Sequence, residues 1–255
     1  MPISFQRLYR SARVFLIVSC LMLLPVQLAF GKASVAEGQV PVVDDGALRS
    51  AAKSSVNKQF VDGLRDAANF SDYQVLCRLM TKKEAKWKDF GAANIFFKQK
   101  QLFRAVISSS DYRNGSVVVK GSDGSIRGKG GGTLTFVKMT IQPDSRTIRL
   151  PTGYSLVESD FFSLYDSLKT NIGKGVSAFT SPAPVNLKPF KEPVLVLVLN
   201  SGPQPDSPIS EVVFLDPRTK LPLVWNTYKD GQPHAVVMFE ELQPNKGLSD
   251  DLFHL

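Results

Sequence analysis

A glycine-rich segment that contains a lysine, GSDGSIRGKGGG at residues 121–132, is the first candidate for chemistry in this sequence. Such segments bind phosphate when they follow the frame G-x-x-x-x-G-K-S/T and open a helix. The frame fails here because Asp123 occupies the place of its first glycine, and Gly130 follows Lys129. The next residues, TLTFVKMTI, have the composition of a strand. We therefore expect a hairpin turn at Asp123-Gly124 and no phosphate site.

The side chains that most often act as nucleophiles or metal ligands are few and scattered. The chain has two cysteines and two histidines, and Cys77, His234 and His254 share no motif with catalytic or metal-ligand spacing. Cys77 is predicted to be a small buried residue rather than a nucleophile. We expect no catalysis, no cofactor and no metal. A hydrolase with an unrecognised site is the least favoured hypothesis.

The N-terminus has the three parts of a secretory signal. Residues 7–13 carry three arginines without an acid, residues 14–30 form an apolar run, and residues 31–33 and 34–36 each have small residues spaced for cleavage. We therefore predict that residues 1–33 are a cleaved signal peptide and that the mature protein is periplasmic. The alternative is an inner-membrane anchor formed by residues 14–30, although Pro25 interrupts a run that is barely long enough to span.

The charge of the mature chain argues against nucleic acid as a partner. The formal net charge is +8, but part of it belongs to the predicted signal peptide, which contains basic residues and no acid. The remaining positive charge is too small for a nucleic-acid interface. It allows a peripheral contact with anionic lipid, for which the basic cluster of Lys82, Lys83, Lys86 and Lys88 is the candidate.

Two segments have the period of amphipathic helices. From Asp45 to Asn69 apolar residues recur about every four positions, which predicts one helix, preceded by a flexible tether at residues 34–45. The segment ESDFFSLYDSLKTNI predicts a second helix that Ser159 caps and Gly173 ends. The first stripe consists of Leu48, Ala52, Val56, Phe60 and Leu64, and the second of Phe161, Leu164, Tyr165, Leu168 and Ile172.

Strand patterns fill most of the remaining sequence. They begin near Tyr73 and end with HAVVMFEEL, and short connections between them favour antiparallel pairing. The run VLVLVL at residues 194–199 is apolar at every position, so both of its faces must be covered. The proline-rich residues 181–193 are predicted to be an exposed crossing segment. The expected fold class is α+β, with residues 46–255 as a single domain.

Two segments resemble the periplasmic lipoprotein carriers of the LolA/LolB type and, most closely, their secreted bacterial relatives. A strand and a hairpin of the family are similar to the first segment, GAANIFFKQKQLFRA followed by RNGSVVVKGSDG. The family's D-P-x-T-x-L-P and N-x-G-L phrases are similar to the second segment, FLDPRTKLPLVWNTYKDGQP followed by VMFEELQPNKGLSDDLF. The matching residues are Asp216, Pro217, Thr219, Leu221, Pro222, Phe239, Asn245, Gly247, Leu248 and Phe253.

The resemblance implies a strongly curved antiparallel β-sheet, an incomplete β-barrel, whose concave side is covered by helices. Its interior in the family is apolar and takes up acyl chains. One departure is clear, because the carriers have Arg-Pro where this chain has Gln99-Lys100. The arginine helps to control opening in the carriers, so the fold is expected to carry over better than the opening mechanism.

The resemblance also indicates which residues would line an apolar cavity. The candidates are Phe96, Phe97, Leu102, Phe103, Phe161, Leu164 and Trp225. Each of them is equally compatible with ordinary core packing. Trp225 and Tyr228 fall on opposite faces of one strand, so at most one of them points inward.

The sequence thus favours a secreted cell-envelope protein that binds a lipid or a lipidated partner without catalysis. The expected partner is an acyl chain, a phospholipid or a lipoprotein, and the protein is expected to be a monomer. The alternative is a protein-interaction or sensor module on the same fold. A filled core would favour that alternative, whereas an apolar cavity would favour lipid binding.

Overall fold

The computed structural model describes residue 35 and residues 39–99, 101–109 and 113–255. The predicted signal peptide, residues 1–33, lies outside these ranges, as does the alternative anchor at residues 14–30. Among the described residues, no helix has the length and apolar character needed to cross a membrane.

A single sheet of twelve strands dominates the described chain, and every neighbouring pair is antiparallel. The strands are β1 (Ser54–Ser55), β2 (Asp72–Lys83), β3 (Lys86–Lys98), β4 (Leu102–Ser108), β5 (Val117–Lys120), β6 (Ile126–Lys129), β7 (Lys138–Ile141), β8 (Ala178–Thr180), β9 (Leu195–Asn200), β10 (Ile209–Leu215), β11 (Pro222–Lys229) and β12 (Gln232–Pro244).

The spatial order is β1-β8-β9-β10-β11-β12-β2-β3-β4-β5-β6-β7. Most neighbours are consecutive in sequence, and the pairing of β12 with β2 joins the C-terminal strands to the N-terminal ones. Strands β1 and β7 form the two edges and do not pair with each other, so the described sheet is an incomplete barrel. The predicted α+β class with a curved antiparallel sheet is confirmed.

In the described part of the chain, three α-helices accompany the sheet: α1 (Asp45–Ala51), α2 (Lys58–Ala67) and α3 (Phe161–Gly173). Helices α2 and α3 pack together over the concave face, where their apolar stripes join the largest core cluster. Lys169 Nζ donates to Asp62 Oδ1 over 2.6 Å and ties the outer surfaces of these two helices together. Short 3₁₀ helices occur at Gly132–Leu134, Arg146–Ile148, Leu156–Glu158 and Asp250–Phe253.

Strand β9 shows that the sheet separates two apolar layers. Its leucines, Leu195, Leu197 and Leu199, join the concave cluster. Val196 and Val198, together with the preceding Val194, join a second cluster on the convex face. The prediction that both faces of VLVLVL are covered is therefore confirmed.

The prediction of one continuous helix from Asp45 to Asn69 is wrong. Residues 52–57 interrupt it, because Ser54 and Ser55 pair with β8 at the edge of the sheet. Helix α1 lies on the convex side, where Leu48 and Ala52 enter the second cluster, whereas α2 lies on the concave side. The apolar residues keep the spacing of a single helix across this crossing, because α1 and α2 each bury their own apolar residues on opposite faces of the sheet.

Each of the two helices has its own cap. The Asp44 side chain accepts hydrogen bonds from the backbone of Gly46 and Ala47 at the start of α1. The Asn57 side chain accepts one from Phe60 N over 2.9 Å at the start of α2. The Asn57 cap satisfies a backbone donor that a continuous helix would have bonded internally.

The proline-rich residues 181–193 are not simply an exposed crossing. Val185, Leu187 and Phe190 pack against the convex cluster, and the Phe190 and Phe214 ring centroids are 4.5 Å apart. This segment and α1 are the cover that β9 requires on its convex face. Prolines suit such a segment because few of its backbone donors have a strand to pair with.

Residues 39–45, the described C-terminal part of the predicted tether, also contact the convex layer. The Pro41 carbonyl accepts a hydrogen bond from Asn226 Nδ2 over 2.8 Å. Val43 is buried in the second cluster. Helix α1 already begins at Asp45, one residue before the predicted start of the domain. The domain boundaries at residues 33 and 45 stay predictions.

The glycine-rich segment forms the expected hairpin between β5 and β6. Asp123 Oδ1 accepts from Ser125 N over 2.9 Å, and Gly124 has a φ of +77°, which favours glycine. The following strand prediction is wrong for most of its length, because only Lys138–Ile141 of TLTFVKMTI is a strand. The preceding glycines let the chain leave the sheet. A Cβ atom at Gly131 would lie 1.7 Å from the Asn114 carbonyl oxygen.

Helix α3 has the predicted apolar stripe but a different cap. The Asp160 side chain, not that of Ser159, accepts from Ser163 N over 3.0 Å. Asp160 is buried, and burial raises the pKa of its carboxyl above the usual value, while the bonds from Ser163 lower it less. Ser159 instead donates to the Ser155 carbonyl.

The crossing of α1 to the convex face can be tested by truncation. Leu48 is 0% exposed, so Leu48→Ala is expected to lower the free energy of unfolding by about 2–5 kcal/mol. Leu134→Ala is the matched control, because Leu134 is 55% exposed and its truncation should cost less than about 0.5 kcal/mol. Equilibrium urea unfolding measures both. Equal losses would show that α1 does not bury Leu48 against the sheet.

Candidate functional site

A cavity of about 100 Å³ lies between the concave face of the sheet and the chain that precedes α3. Strands from both halves of the sheet provide one wall. This wall consists of Cys77, Leu79, Phe90, Gly91, Ala92, Ala93, Ile95, Ile107, Trp225, Val237 and Phe239.

The small residues of β3 create the space. Ala92 and Ala93 line the cavity next to a register shift in the pairing of β2 with β3, and Gly91 lies at that shift. Gly91 has a φ of +137°, a conformation that side-chain-bearing residues rarely adopt. The sheet wall is therefore shallow at the position where the opposite wall approaches it.

Residues 142–159, which we call the lid segment, form most of the opposite wall. This segment has two short 3₁₀ helices and an isolated bridge between Arg149 and Ser155, but no longer regular element. It and α3 contribute Thr147, Ile148, Leu150, Thr152, Tyr154, Leu156, Ser159 and Leu164 to the lining. Because most of its hydrogen bonds are local, the lid segment can move without breaking strand pairing.

A buried hydrogen-bond network joins the lid segment to the sheet. Tyr154 OH lies 3.0 Å and 2.9 Å from the two carboxyl oxygens of Glu211 on β10. Trp225 Nε1 on β11 donates to Glu211 Oε2 over 2.8 Å. Trp225 and Tyr154 also line the cavity, and their rings meet edge to face with centroids 6.2 Å apart.

Burial controls the protonation of this network. It raises the pKa of the Glu211 carboxyl above its usual value of 4.5, and the hydrogen bonds from Trp225 and Tyr154 lower it by less. Burial and the neighbouring Glu211 raise the pKa of the Tyr154 hydroxyl. A neutral carboxyl is the form that the apolar surroundings favour.

An aromatic cluster fills the concave side at the other end of the sheet. Tyr73 stacks on both Phe97 and Phe161, with centroids 5.2 Å and 4.9 Å apart. Tyr73 OH also accepts a hydrogen bond from Phe161 N over 2.9 Å at the first turn of α3. Phe239 packs against Phe161 from β12. This cluster fixes the start of α3 on the sheet and leaves the open volume at the opposite end.

The sequence-predicted lining residues occupy three different places. Leu164 and Trp225 line the cavity. Phe97, Phe103 and Phe161 belong to the concave core, but they are not in the cavity wall. Phe96 and Leu102 lie outside that concave core.

Strand geometry explains this division. Phe96 and Phe97 are adjacent on β3, as are Leu102 and Phe103 on β4, so only one residue of each pair can face the concave side. Phe96 is paired with Arg104, whose guanidinium donates to the Leu252 carbonyl of the C-terminal segment over 2.8 Å. Whether any of these residues contacts a ligand stays a prediction.

Cys77, His234 and His254 are the residues considered as nucleophiles or metal ligands. Cys77 is buried in the cavity wall, and burial raises the pKa of its thiol, which disfavours the nucleophilic thiolate. His234 lies on β12 and His254 follows the last 3₁₀ helix. Within the described ranges, His, Cys, Asp and Glu side chains form no group that would hold a metal ion.

Gln99, one of the two residues at which the sequence departs from the carriers, contacts the residues that follow α2. Gln99 Nε2 donates to Asn69 Oδ1 and to the Phe70 carbonyl, each over 3.3 Å, just after the end of α2. Lys100 lies outside the described residues. The Gln99 contacts are neutral and largely exposed. At the cavity, the hydrogen bond of Tyr154 with Glu211 links the lid segment to the sheet.

Sequence reasoning missed Tyr154 and Glu211. One signal was available for Glu211, because alternation places it on the same face of β10 as Val213 and Leu215, and an acid on an apolar face needs a partner. Nothing comparable marks Tyr154. It lies in a segment without periodicity, 57 residues before Glu211 in sequence.

Comparison with known proteins gives similarity at the level of the fold. No protein-family model matches the chain, and no curated protein matches it. A LolA superfamily protein from Nitrosomonas europaea is similar in structure, with a TM-score of 0.42, 9% identity, and coverage of 78% of this chain and 98% of that chain. The LolA type, which the sequence resembles, is therefore represented among the solved structures that are similar to this chain.

Two further solved structures are similar to the same extent. A DUF1329 family protein from Desulfovibrio piger has a TM-score of 0.43 and 12% identity, covering 77% of this chain and 95% of that one. A chain in the complex of Pseudomonas aeruginosa MucA and MucB has a TM-score of 0.43 and 12% identity, covering 78% of this chain and 60% of that one. At these sequence identities the comparisons describe the fold and not what this protein binds.

The protonation of Glu211 makes a testable contribution to stability. A carboxyl whose pKa is raised on folding favours the folded state at low pH, and this contribution is lost as pH rises through the folded-state pKa. Glu211→Gln removes the titration but keeps the size of the side chain. We expect the free energy of unfolding of the variant, relative to the natural protein, to increase as the pH of urea titrations rises from acid to neutral.

The control for this measurement is Glu158→Gln, an exposed carboxyl in the same lid segment. It should leave the pH profile of the free energy of unfolding unchanged. Other buried acids with raised pKa values, such as Asp160, are present in all three proteins and cancel in the comparison. A Glu211→Gln profile parallel to that of the natural protein would contradict the prediction.

Proposed function

We propose that this protein is a secreted cell-envelope protein that binds the acyl chain of a lipid or of a lipidated partner in the cavity beneath the lid segment, without catalysis. The observation that supports the proposal is the cavity itself. It is lined almost entirely by apolar side chains from the sheet, the lid segment and α3. Apolar walls with a few polar groups are typical of sites for small hydrophobic ligands.

The chemistry of the walls favours a hydrocarbon over a polar ligand. Among the lining residues that the structure describes, only Arg113 carries a full charge, and it comes from the connection between β4 and β5 at one end of the sheet. Tyr154 OH and Trp225 Nε1 are already engaged with Glu211. A ligand in the interior would therefore meet mainly methyl, methylene and aromatic groups, which is the environment that an acyl chain prefers.

The size of the cavity supports a closed state, in which a complete acyl chain does not fit. Since roughly 10–15 Å³ of such volume holds one water molecule, a cavity of about 100 Å³ holds several waters or a short piece of an acyl chain. A complete chain would require the lid segment to move outward. The proposed route is release of Tyr154 from Glu211, because this network joins the lid to β10.

The alternative, a protein-interaction module with a filled core, predicts no apolar cavity on the concave side. The cavity supports lipid binding over this alternative. The filled part of the interior, around Tyr73 and Phe161, lies beyond the cavity and fixes α3 rather than replacing the site.

Binding of a fluorescent fatty acid tests the proposal directly. Ala93 lines the cavity from β3, and Ala93→Phe would fill much of the space above it. We expect the natural protein to bind 11-(dansylamino)undecanoic acid with a blue-shifted emission, and the variant to bind it about tenfold more weakly or worse, because several methylene groups lose their buried position. Native mass spectrometry of the same samples would identify any co-purified lipid.

Two further variants make the result interpretable. Ala93→Leu fills less space and should weaken binding less, so a graded series separates filling of the cavity from misfolding. Ser122→Phe adds an aromatic ring at the exposed hairpin between β5 and β6 and should leave binding unchanged. Equal binding by the natural protein and folded Ala93→Phe would count against the cavity as the site.

A further inference from the structure

An exposed apolar surface remains after the core and the cavity have been described. Four large apolar residues project from the connection between β6 and β7 and from the start of β7. They are Leu134 at 55% exposed, Phe136 at 79%, Val137 at 36% and Met139 at 49%. We call them the apolar tip. Exposed apolar groups of this density usually mark a contact with a membrane or with another protein.

The apolar tip lies beside the cavity. In an antiparallel sheet alternate connections share one end, so the connection between β6 and β7 is at the same end as that between β4 and β5. Ser109 and Arg113 of the latter connection line the cavity. The two connections touch, because Gly131 leaves no room for a Cβ atom against the Asn114 carbonyl oxygen. We call this end the cavity end.

The same end carries a basic surface. The hairpin between β2 and β3, which we call the basic hairpin, exposes Lys83, Lys86 and Lys88, and Lys82 is half-buried beside them. Glu84 and Asp89 are its acids, and Arg78 lies 3.6 Å from the Asp89 carboxylate. Strand β7 is four strands from β3, or roughly 19 Å at about 4.8 Å per strand.

Basic residues also occur on the strands that carry the tip and in the segment after them. Arg127 is exposed and Lys129 half-buried on β6, and Arg146 and Arg149 are exposed just after β7, against Asp144 as the one acid between residues 126 and 149. Lys138, on β7, donates to the Leu255 carbonyl over 2.6 Å. Lys129 and Lys138, paired at the ends of β6 and β7, therefore place positive charge at the base of the apolar tip.

We propose that the apolar tip and the basic hairpin together form a docking surface for an anionic lipid bilayer, with the cavity end facing the membrane. The inference rests on the proposed function, since it gives the route by which an acyl chain would reach the cavity. The tip side chains enter the acyl boundary, and the lysines and arginines remain at the level of the headgroups. Anionic headgroups complement this charge.

The shape of the surface favours a bilayer over a protein partner. Phe136 projects from a turn rather than lining a groove, and a protruding ring needs a matching concavity on a protein but none in a membrane. Trp87 is half-buried beside the lysines of the basic hairpin. An aromatic residue next to lysines is a common arrangement at a membrane interface.

Flotation with vesicles tests the docking surface. The full sequence is expressed in a Gram-negative host, and the protein from the periplasmic fraction is mixed with vesicles of phosphatidylcholine alone or with about a third phosphatidylglycerol. We expect binding to the anionic vesicles that weakens at high salt. The double variant Leu134→Ser/Phe136→Ser should lower the partition coefficient by at least about tenfold, and it should fold because both residues are exposed.

Charge variants test the contribution of the basic hairpin. Lys83→Glu/Lys86→Glu should lower partitioning onto anionic vesicles by about tenfold or more and remove the preference for them. Lys191→Glu/Lys220→Glu makes the same change of charge at exposed sites away from the cavity end and should have less than about a twofold effect. Equal losses for the two pairs would overturn the docking surface in favour of a general effect of net charge.

Fatty-acid binding in solution separates this proposal from the proposed function. Leu134→Ser/Phe136→Ser should bind the fluorescent fatty acid as the natural protein does, because neither residue lines the cavity. A natural protein that binds fatty acid but floats with neither kind of vesicle would overturn the docking surface and leave the cavity function intact. Vesicle binding that needs the tip, without any fatty-acid binding, would support the surface and contradict the function.

Discussion

The rest of the fold depends on the burial of both faces of the sheet at strands β9, β10 and β11. Leucines on one side and valines on the other give β9 no face that water can reach. The convex side must therefore be covered, and α1 with residues 181–193 provides that cover. With its convex face fixed, this half of the sheet holds its curvature and presents a stable concave wall to α2, α3 and the lid segment.

The cavity follows from an unequal distribution of side-chain volume on that concave wall. At one end Tyr73 stacks on Phe97 and on Phe161 of α3, and its hydroxyl accepts a hydrogen bond from the backbone N of Phe161. At the other end Ala92 and Ala93 supply little volume. The lid segment, with Leu164 of α3, lies opposite these small residues, so apolar space remains beneath it.

Much of this architecture was predictable from the sequence, because burial leaves a local pattern. Periodicity predicts the run at residues 194–199, which is apolar on both faces, and the apolar stripe of α3, and turn chemistry predicts the hairpin at Asp123-Gly124. The crossing at residues 52–57 was not, because a stripe divided between two faces has the same spacing as a continuous one. The cavity and the contact of Tyr154 with Glu211 depend on tertiary distance, which no local pattern records.

The way in which the lid segment is held suits a wall that must open. An apolar lid could slide to several positions of similar energy, whereas the hydrogen bonds of Tyr154 and Trp225 to Glu211 are satisfied in one arrangement. The network adds little net stability, since a carboxyl that could be hydrated is buried instead. The network therefore determines where the lid segment closes more than it stabilises the closed state. Opening would also expose Ile148, Leu156 and Val157, which are buried in the concave core, so a ligand has to replace these apolar contacts.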